Sequence, residues 1–184
     1  MELVIAVTGA SGIIYAKSLL EALKQHEINI HLIISEAAEK VAKHELEDIK
    51  QLENLATVVY PPNDLEAPIA SGSYQVDAMI IVPASMKTIG ALSSGYTHNL
   101  ITRAADVQLK ERRKLIIVPR ETPLHTIHLE NLTKLSQVGA IILPAMPGFY
   151  HKPEKIEDLV SLITGKIMDQ LGIPNQVYNR WKQS

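Results

Sequence analysis

The sequence predicts a three-layer α/β domain with a mainly parallel sheet, and three observations carry that prediction. Six short apolar runs punctuate the chain, and they are continuous rather than alternating, as in strands covered on both faces. Segments with apolar residues at helical spacing separate them. Several strand ends pass at once into Gly, Ser or Pro, the chemistry of a turn that leads into a helix.

In order, Leu3–Val7 is the first strand, and the turn Thr8-Gly9-Ala10-Ser11-Gly12 opens a helix from near Ser11 to near Gln25. Ile13, Ala16, Leu20 and Leu23 form its stripe. Ile30–Ile34 is the second strand, and Ser35 caps a helix through about Leu46. Gln51–Ala56 reads as a short helix, Val58–Tyr60 as the third strand, and Pro61-Pro62-Asn63-Asp64 as a turn. Ala78–Val82 is the fourth strand, ended by Pro83. Ser85–Ser94 and Asn99–Arg113 read as successive helices. Leu115–Val118 is the fifth strand, Ile127–Val138 a helix, and Ile141–Leu143 the sixth strand. Pro144–Pro153 is irregular. Ile156–Leu171 is the last long helix, with Ile156, Leu159, Val160, Ile163 and Ile167 as its stripe, and Pro174 ends it.

No repeat or linker interrupts this order, so a single domain over residues 1–184 is expected. A net charge of −2, from 18 Lys and Arg against 20 Asp and Glu, gives no electrostatic case for a nucleic-acid or membrane partner. The absence of cysteine excludes disulfides, thiolate metal sites and a cysteine nucleophile. No apolar run approaches the roughly 18 residues of a membrane span, and the opening MELVIAV reads as a strand rather than a signal, so a cytoplasmic location is expected.

Three strand ends carry a hydroxyl at an expected helix start: Ser11, Ser35 and Ser85 with Thr88. Each alone reads as a plain N-cap. Together, on strands of one sheet, they suggest a rim of donors suited to a phosphorylated ligand. The first turn is neither the full dinucleotide fingerprint, since Ile14 stands where the third glycine belongs, nor a P-loop. Arg120 and Glu121 follow the fifth strand at the edge that lines the ligand crevice in open α/β sheets. Upstream, Arg103, Asp106 and Lys110 share one helical face. That face suits an anionic substrate, or equally a solvated surface with an Asp106–Lys110 pair. His125 and His128 have helical metal-ligand spacing but no third ligand at recognised spacing, and His125 is expected to support Arg120 and Glu121.

The segments TGASG, PASMKT, LITRAADVQLKERRKL, RETPLH and PAMPGFYHKP, together with Ser71-Gly72-Ser73, resemble the UbiX-like flavin prenyltransferases in order from about Leu3 to Leu171. The resemblance implies a Rossmann-like flavoprotein fold, FMN as the bound flavin, dimethylallyl monophosphate as second substrate, no metal, and a homo-oligomer, commonly a dodecamer. The product is prenylated FMN for a UbiD-type decarboxylase. Family contacts to FMN fall on Gly9, Ala10, Ser11, Ser35, Ser85, Met86, Lys87, Thr88 and Arg120. Those to the prenyl phosphate fall on Arg103, Lys110, Glu121, Tyr150 and Lys166. Glu45 matches the acidic residue near the flavin N5, so Ser11, Glu45 and Glu121 are the expected catalytic residues. Ala84 stands where many members have cysteine, and Lys166 where others have arginine, keeping the charge without the planar fork. Tyr150 and Trp181 are candidate π-faces for an allylic cation. The rival readings are a flavin-dependent decarboxylase acting on a cysteine-containing substrate, and an FMN carrier without turnover.

Overall fold

The computed structural model describes residues 1–46 and 48–182. Its strands are β1 (Glu2–Val7), β2 (Asn29–Ile34), β3 (Val58–Tyr60), β4 (Ala78–Ala84), β5 (Lys114–Pro119) and β6 (Ile141–Ile142). Its helices are α1 (Ile13–Leu23), α2 (Glu36–Glu45), α3 (Lys50–Glu53), α4 (Met86–Ser93), α5 (Leu100–Lys110), α6 (Thr126–Gln137) and α7 (Ile156–Leu171). A 3-10 turn covers Pro68–Ala70. The strands make one six-stranded sheet in the order β3-β2-β1-β4-β5-β6, with every pairing parallel. This is a three-layer, Rossmann-like α/β fold.

Alternation along each strand sends side chains to two separate cores. Leu3, Ile5 and Val7 of β1 join one apolar cluster with α1, α2 and α7. Val4 and Ala6 join the other, with α4, α5 and α6. Helix α7 returns to the face of α1, where Ser18 and Thr164 hydroxyls meet at 2.8 Å inside the contact. Parallel crossovers are right-handed. The sheet grows one way from β1 to β3, then the chain crosses back to β4 and grows the other way, so α1 and α2 lie opposite α4, α5 and α6.

That reversal opens a crevice between the carboxyl ends of β1 and β4. Thr8 ties the two ends together. Its hydroxyl donates to the Pro83 carbonyl at 2.7 Å and accepts from the Ser85 N–H at 2.8 Å. The same carbonyl takes the Thr8 N–H at 3.3 Å. Pro83 therefore does not end β4 as expected. It has no N–H for the ladder, and the register shifts between Ile81 and Ala84, but its carbonyl is held by Thr8 and the strand runs on to Ala84.

Other boundaries move by local causes. α1 starts at Ile13 because Gly12 sits at φ 106°, a left-handed conformation suited to glycine. α5 stops at Lys110, short of Arg113, because Arg112 turns the chain at φ 54°. Asn99 and Thr102 form a reciprocal capping box at its start. No helix among the described residues is long and apolar enough to cross a membrane.

Candidate active site at the carboxyl edge of the sheet

A cleft of about 330 Å³ occupies the β1/β4 crevice, lined among others by Gly9, Ser35, Lys40, Asn63, Ser85, Lys87 and Thr88. Ser35 and Ser85 are both N-caps: Ser35 Oγ accepts from the Ala38 N–H at 3.1 Å, and Ser85 Oγ from the Thr88 N–H at 3.3 Å. Two helix starts thus converge on one cleft with hydroxyls, free amides and the Lys40 and Lys87 ammonium groups nearby, the donor set of an anion site. Gly9 permits this convergence, since a Cβ there would lie 2.5 Å from that of Ala37. Met86 is half-buried against the α4/α5 core, and Ala84 is fully buried in it.

Ser11, Glu45 and Arg120 meet at the turn between β1 and α1, two residues on from Gly9 of the cleft. The Glu45 carboxylate accepts the N–H groups of Gly12, at 2.9 Å, and Ile13, at 2.8 Å, capping α1 from the end of α2. Arg120 Nε donates to the Ser11 carbonyl at 2.9 Å. An acid and a base thus flank Ser11, an arrangement no local pattern shows, because Glu45 and Arg120 lie 34 and 109 residues away. Tyr15 lies beneath, its phenol pushed up by burial while the nearby Arg120 guanidinium pulls it down.

The expected prenyl-phosphate residues do not gather in one chain. Arg103 donates through Nε to the Ala70 carbonyl at 3.1 Å and through Nη1 to Asp106 at 2.9 Å. Lys110, at the end of α5, pairs with Glu111 rather than Asp106. Arg103 thus reaches the 3-10 turn itself and Lys110 lies beside Gly72 just after it. Lys166 is on α7, across the sheet, with its ammonium 5.8 Å from the centre of the Tyr178 ring. Tyr150 packs edge-on against Trp181 at 5.4 Å. Glu121 accepts from the Thr122 N–H at 3.1 Å. His125 does not support Arg120 or Glu121 as expected: Arg120 is drawn to Ser11, and the His125 ring stacks on His128 with centres 3.5 Å apart. Among the described residues, no three His, Asp or Glu side chains gather as a metal site.

Sequence reasoning missed Lys40, Asn63, His98 and Asn99, which line the cleft from α2 and from two loops. Lys40 had a weak signal, lying five residues after the Ser35 cap; Asn63 and His98 are brought in only by the folded loops. Thr8 lay inside the recognised turn but reads as one more turn residue there.

The sequence matches the Flavoprotein family over residues 1–168. It is 50% identical to the flavin prenyltransferase UbiX of Methanocaldococcus jannaschii over 98% of each chain, and 52% identical to the flavin prenyltransferase LpdB of Lactiplantibacillus plantarum, again over 98% of each. The chain belongs to the Flavoprotein family, among its UbiX-type flavin prenyltransferases. Among solved structures of this type, a dodecameric FMN-dependent UbiX-like decarboxylase from Escherichia coli O157:H7 superposes with a TM-score of 0.97 at 41% identity, covering 99% of this chain and 100% of the other. AnUbiX (PadA1) in complex with FMN and dimethylallyl pyrophosphate gives 0.97 at 41%, over 100% and 98%. The peptidyl-cysteine decarboxylase EpiD, at 0.61 and 19%, shares the fold alone.

Proposed function

We propose that this chain binds FMN in the β1/β4 cleft and transfers the dimethylallyl group of dimethylallyl monophosphate to N5 and C6 of the reduced flavin, as a single-domain cytoplasmic enzyme making prenylated FMN for a UbiD-type decarboxylase. The observation that carries the reading is the β1–α1 turn beside the cleft: Ser11 held by Arg120, with the Glu45 carboxylate at the same turn. Relatives about half identical over their full length carry the flavin prenyltransferase name.

The cleft fits FMN by its donor set. Ser35, Ser85, Lys87 and Thr88, with the amides of two helix starts, suit a phosphate and a polyol chain, while Gly9, Ala10, Ser11, Met86 and Arg120 would meet the ring. Reduced FMN supplies a nucleophilic nitrogen at N5 and a carbon nucleophile at C6. Glu45, with Ser11, accepts the N5 proton. The C1–O bond of the donor breaks with its electron pair on the phosphate, and Arg103, Lys110, Lys166 and the Tyr150 hydroxyl stabilise that charge. The departed phosphate, as acid, would protonate C2 of the prenyl double bond, the π pair forming that C–H bond and leaving C3 electron-poor for attack by C6, and Glu121 or the phosphate would then take the C6 proton as the ring closes.

The opposed placement of α5 and α7 supports more than one copy, with Arg103 and Lys110 of one chain meeting a phosphate beside Lys166 of another across an interface. Exposed apolar groups suit such contacts: Phe149 is 70% and Trp181 64% exposed beside Met146 and Ile156, and α6 presents Ile127 and Leu129. A homo-oligomer, the dodecamer of the Escherichia coli relative, follows as part of the reading.

The test is anaerobic incubation with reduced FMN and dimethylallyl monophosphate or diphosphate, then mass analysis of the released flavin. A flavin heavier by one prenyl unit is expected from the monophosphate. Tightly held, unmodified FMN with both donors would favour the carrier reading.

A further inference from the structure

The segment after α7 is held by one carboxylate. Asp169 accepts from Asn175 Nδ2 at 2.9 Å, from the Tyr178 hydroxyl at 2.9 Å, and from both terminal nitrogens of Arg180, Nη1 at 2.9 Å and Nη2 at 2.5 Å. Two parallel bonds from one guanidinium to one carboxylate fix orientation as well as distance. The Arg180 guanidinium also lies 4.8 Å from the centre of the Tyr178 ring. That ring is seated on Gly165, where a Cβ would lie 2.1 Å from Cδ1. The other cation over the same ring is Lys166. Trp181 follows Arg180 directly and packs on Tyr150.

From Asp169, contacts therefore run through Arg180 and Tyr178 to Lys166, and through Trp181, next to Arg180 in sequence, to Tyr150: Lys166 and Tyr150 are assigned to the prenyl phosphate, and Tyr150 and Trp181 to a π-face for the allyl group. None of the four bonds to Asp169 reaches the β1/β4 cleft. We propose that Asp169 is a positioning residue for the prenyl donor: it clasps the terminal segment onto α7 and so sets where Lys166, Tyr150 and Trp181 stand. This rests on the reading of the chain as a prenyltransferase. A surface pair that only secured the terminus would need neither the shared ring between two cations nor the continuation into Trp181.

The test compares wild type with Asp169→Asn and Arg180→Ala as FMN-loaded oligomers. Removing one charge-assisted contact should raise KM for dimethylallyl monophosphate by about tenfold, with kcat and FMN retention nearly unchanged. Trp181 is the only tryptophan, so its emission reports the clasp directly. Both variants should show red-shifted, less polarised emission, and inorganic phosphate, expected to perturb it in wild type, should leave it unchanged in them. Unchanged KM and unchanged emission in either folded variant overturn the proposal, as does a fall in kcat at constant KM. Should Asp169→Asn fail to fold, Arg180→Ala alone decides. Absence of prenylated flavin from wild type would sink the prenyltransferase reading, while the response of Trp181 to inorganic phosphate would still decide the clasp.

Discussion

The two ends of the proposed site are built differently. The flavin edge is made of backbone and short side chains: Gly9, Ser35 and Ser85, with Thr8 locking β1 to β4. It has no slack, because each part is also a strand end or a helix cap. The donor edge is made of long side chains on an exposed surface, held by the clasp at Asp169 and left incomplete within one chain. Substitutions at the first edge should therefore cost fold and flavin together. Those at the second should spare the fold and appear in how the donor is handled.

The largest effect is expected from Gly9→Ala. Its Cβ would meet backbone-anchored Ala37 at 2.5 Å, and α2 must move away from the cleft. Overpacking of this kind costs about 1–3 kcal/mol, and the purified variant should lose most of its FMN, read by absorbance. Thr8→Val comes next. It keeps the shape but strands the Ser85 N–H and leaves the Pro83 carbonyl only the longer backbone bond from residue 8, at a side chain only 1% exposed. A loss of about 2–3 kcal/mol in denaturant unfolding is expected, with weaker flavin retention.

Glu45→Gln separates chemistry from scaffold. Glutamine keeps one oxygen for the α1 amides, so stability should fall by no more than about 1 kcal/mol, while turnover drops sharply with FMN still bound. Unchanged turnover would remove Glu45 from the mechanism.

The smallest effect tests the donor edge by pH. Hydrogen bonds from Arg180, opposed by burial and aided by Tyr178 and Asn175, pull the Asp169 carboxyl from 3.8 to about 2. Because the folded value is depressed, its contribution is complete above the ordinary aspartate value and is lost as pH falls through about 2. Wild type and Asp169→Asn should differ in melting temperature at neutral pH and converge as pH is lowered from about 4 toward 2. A gap undiminished at pH 2 would mean that charge is not what holds the clasp.

The same contrast explains what the sequence made legible. Strand, turn and capping serine lie within a few residues of one another, so Ser35 and Ser85 were readable as N-caps, and the Thr8–Gly12 turn as a candidate anion site. The face of α5 was not, because a right-handed crossover places a helix according to which side of the sheet the next strand joins. That choice is made at the reversal from β3 to β4 and leaves no mark in the helix. The face of α7 was not, because no strand follows it and its side is set by packing on α1. Arg103 and Lys166 therefore read as one cluster in the sequence and lie on opposite faces in the chain. Asp106 likewise had two possible helical partners, and Arg103 won because its guanidinium also reaches Ala70. The clasp was invisible because it joins a helix to an irregular segment.

The central claim is that donor-binding charges on opposite faces of the sheet meet only between copies. Mixing Arg103→Ala protein with Lys166→Ala protein, each inactive alone, and reassembling the oligomer tests it directly. Random assortment should restore about a quarter of wild-type turnover, because that fraction of interfaces carries both intact residues. A reassembled mixture no more active than either parent would contradict the account and return both residues to a single chain's site.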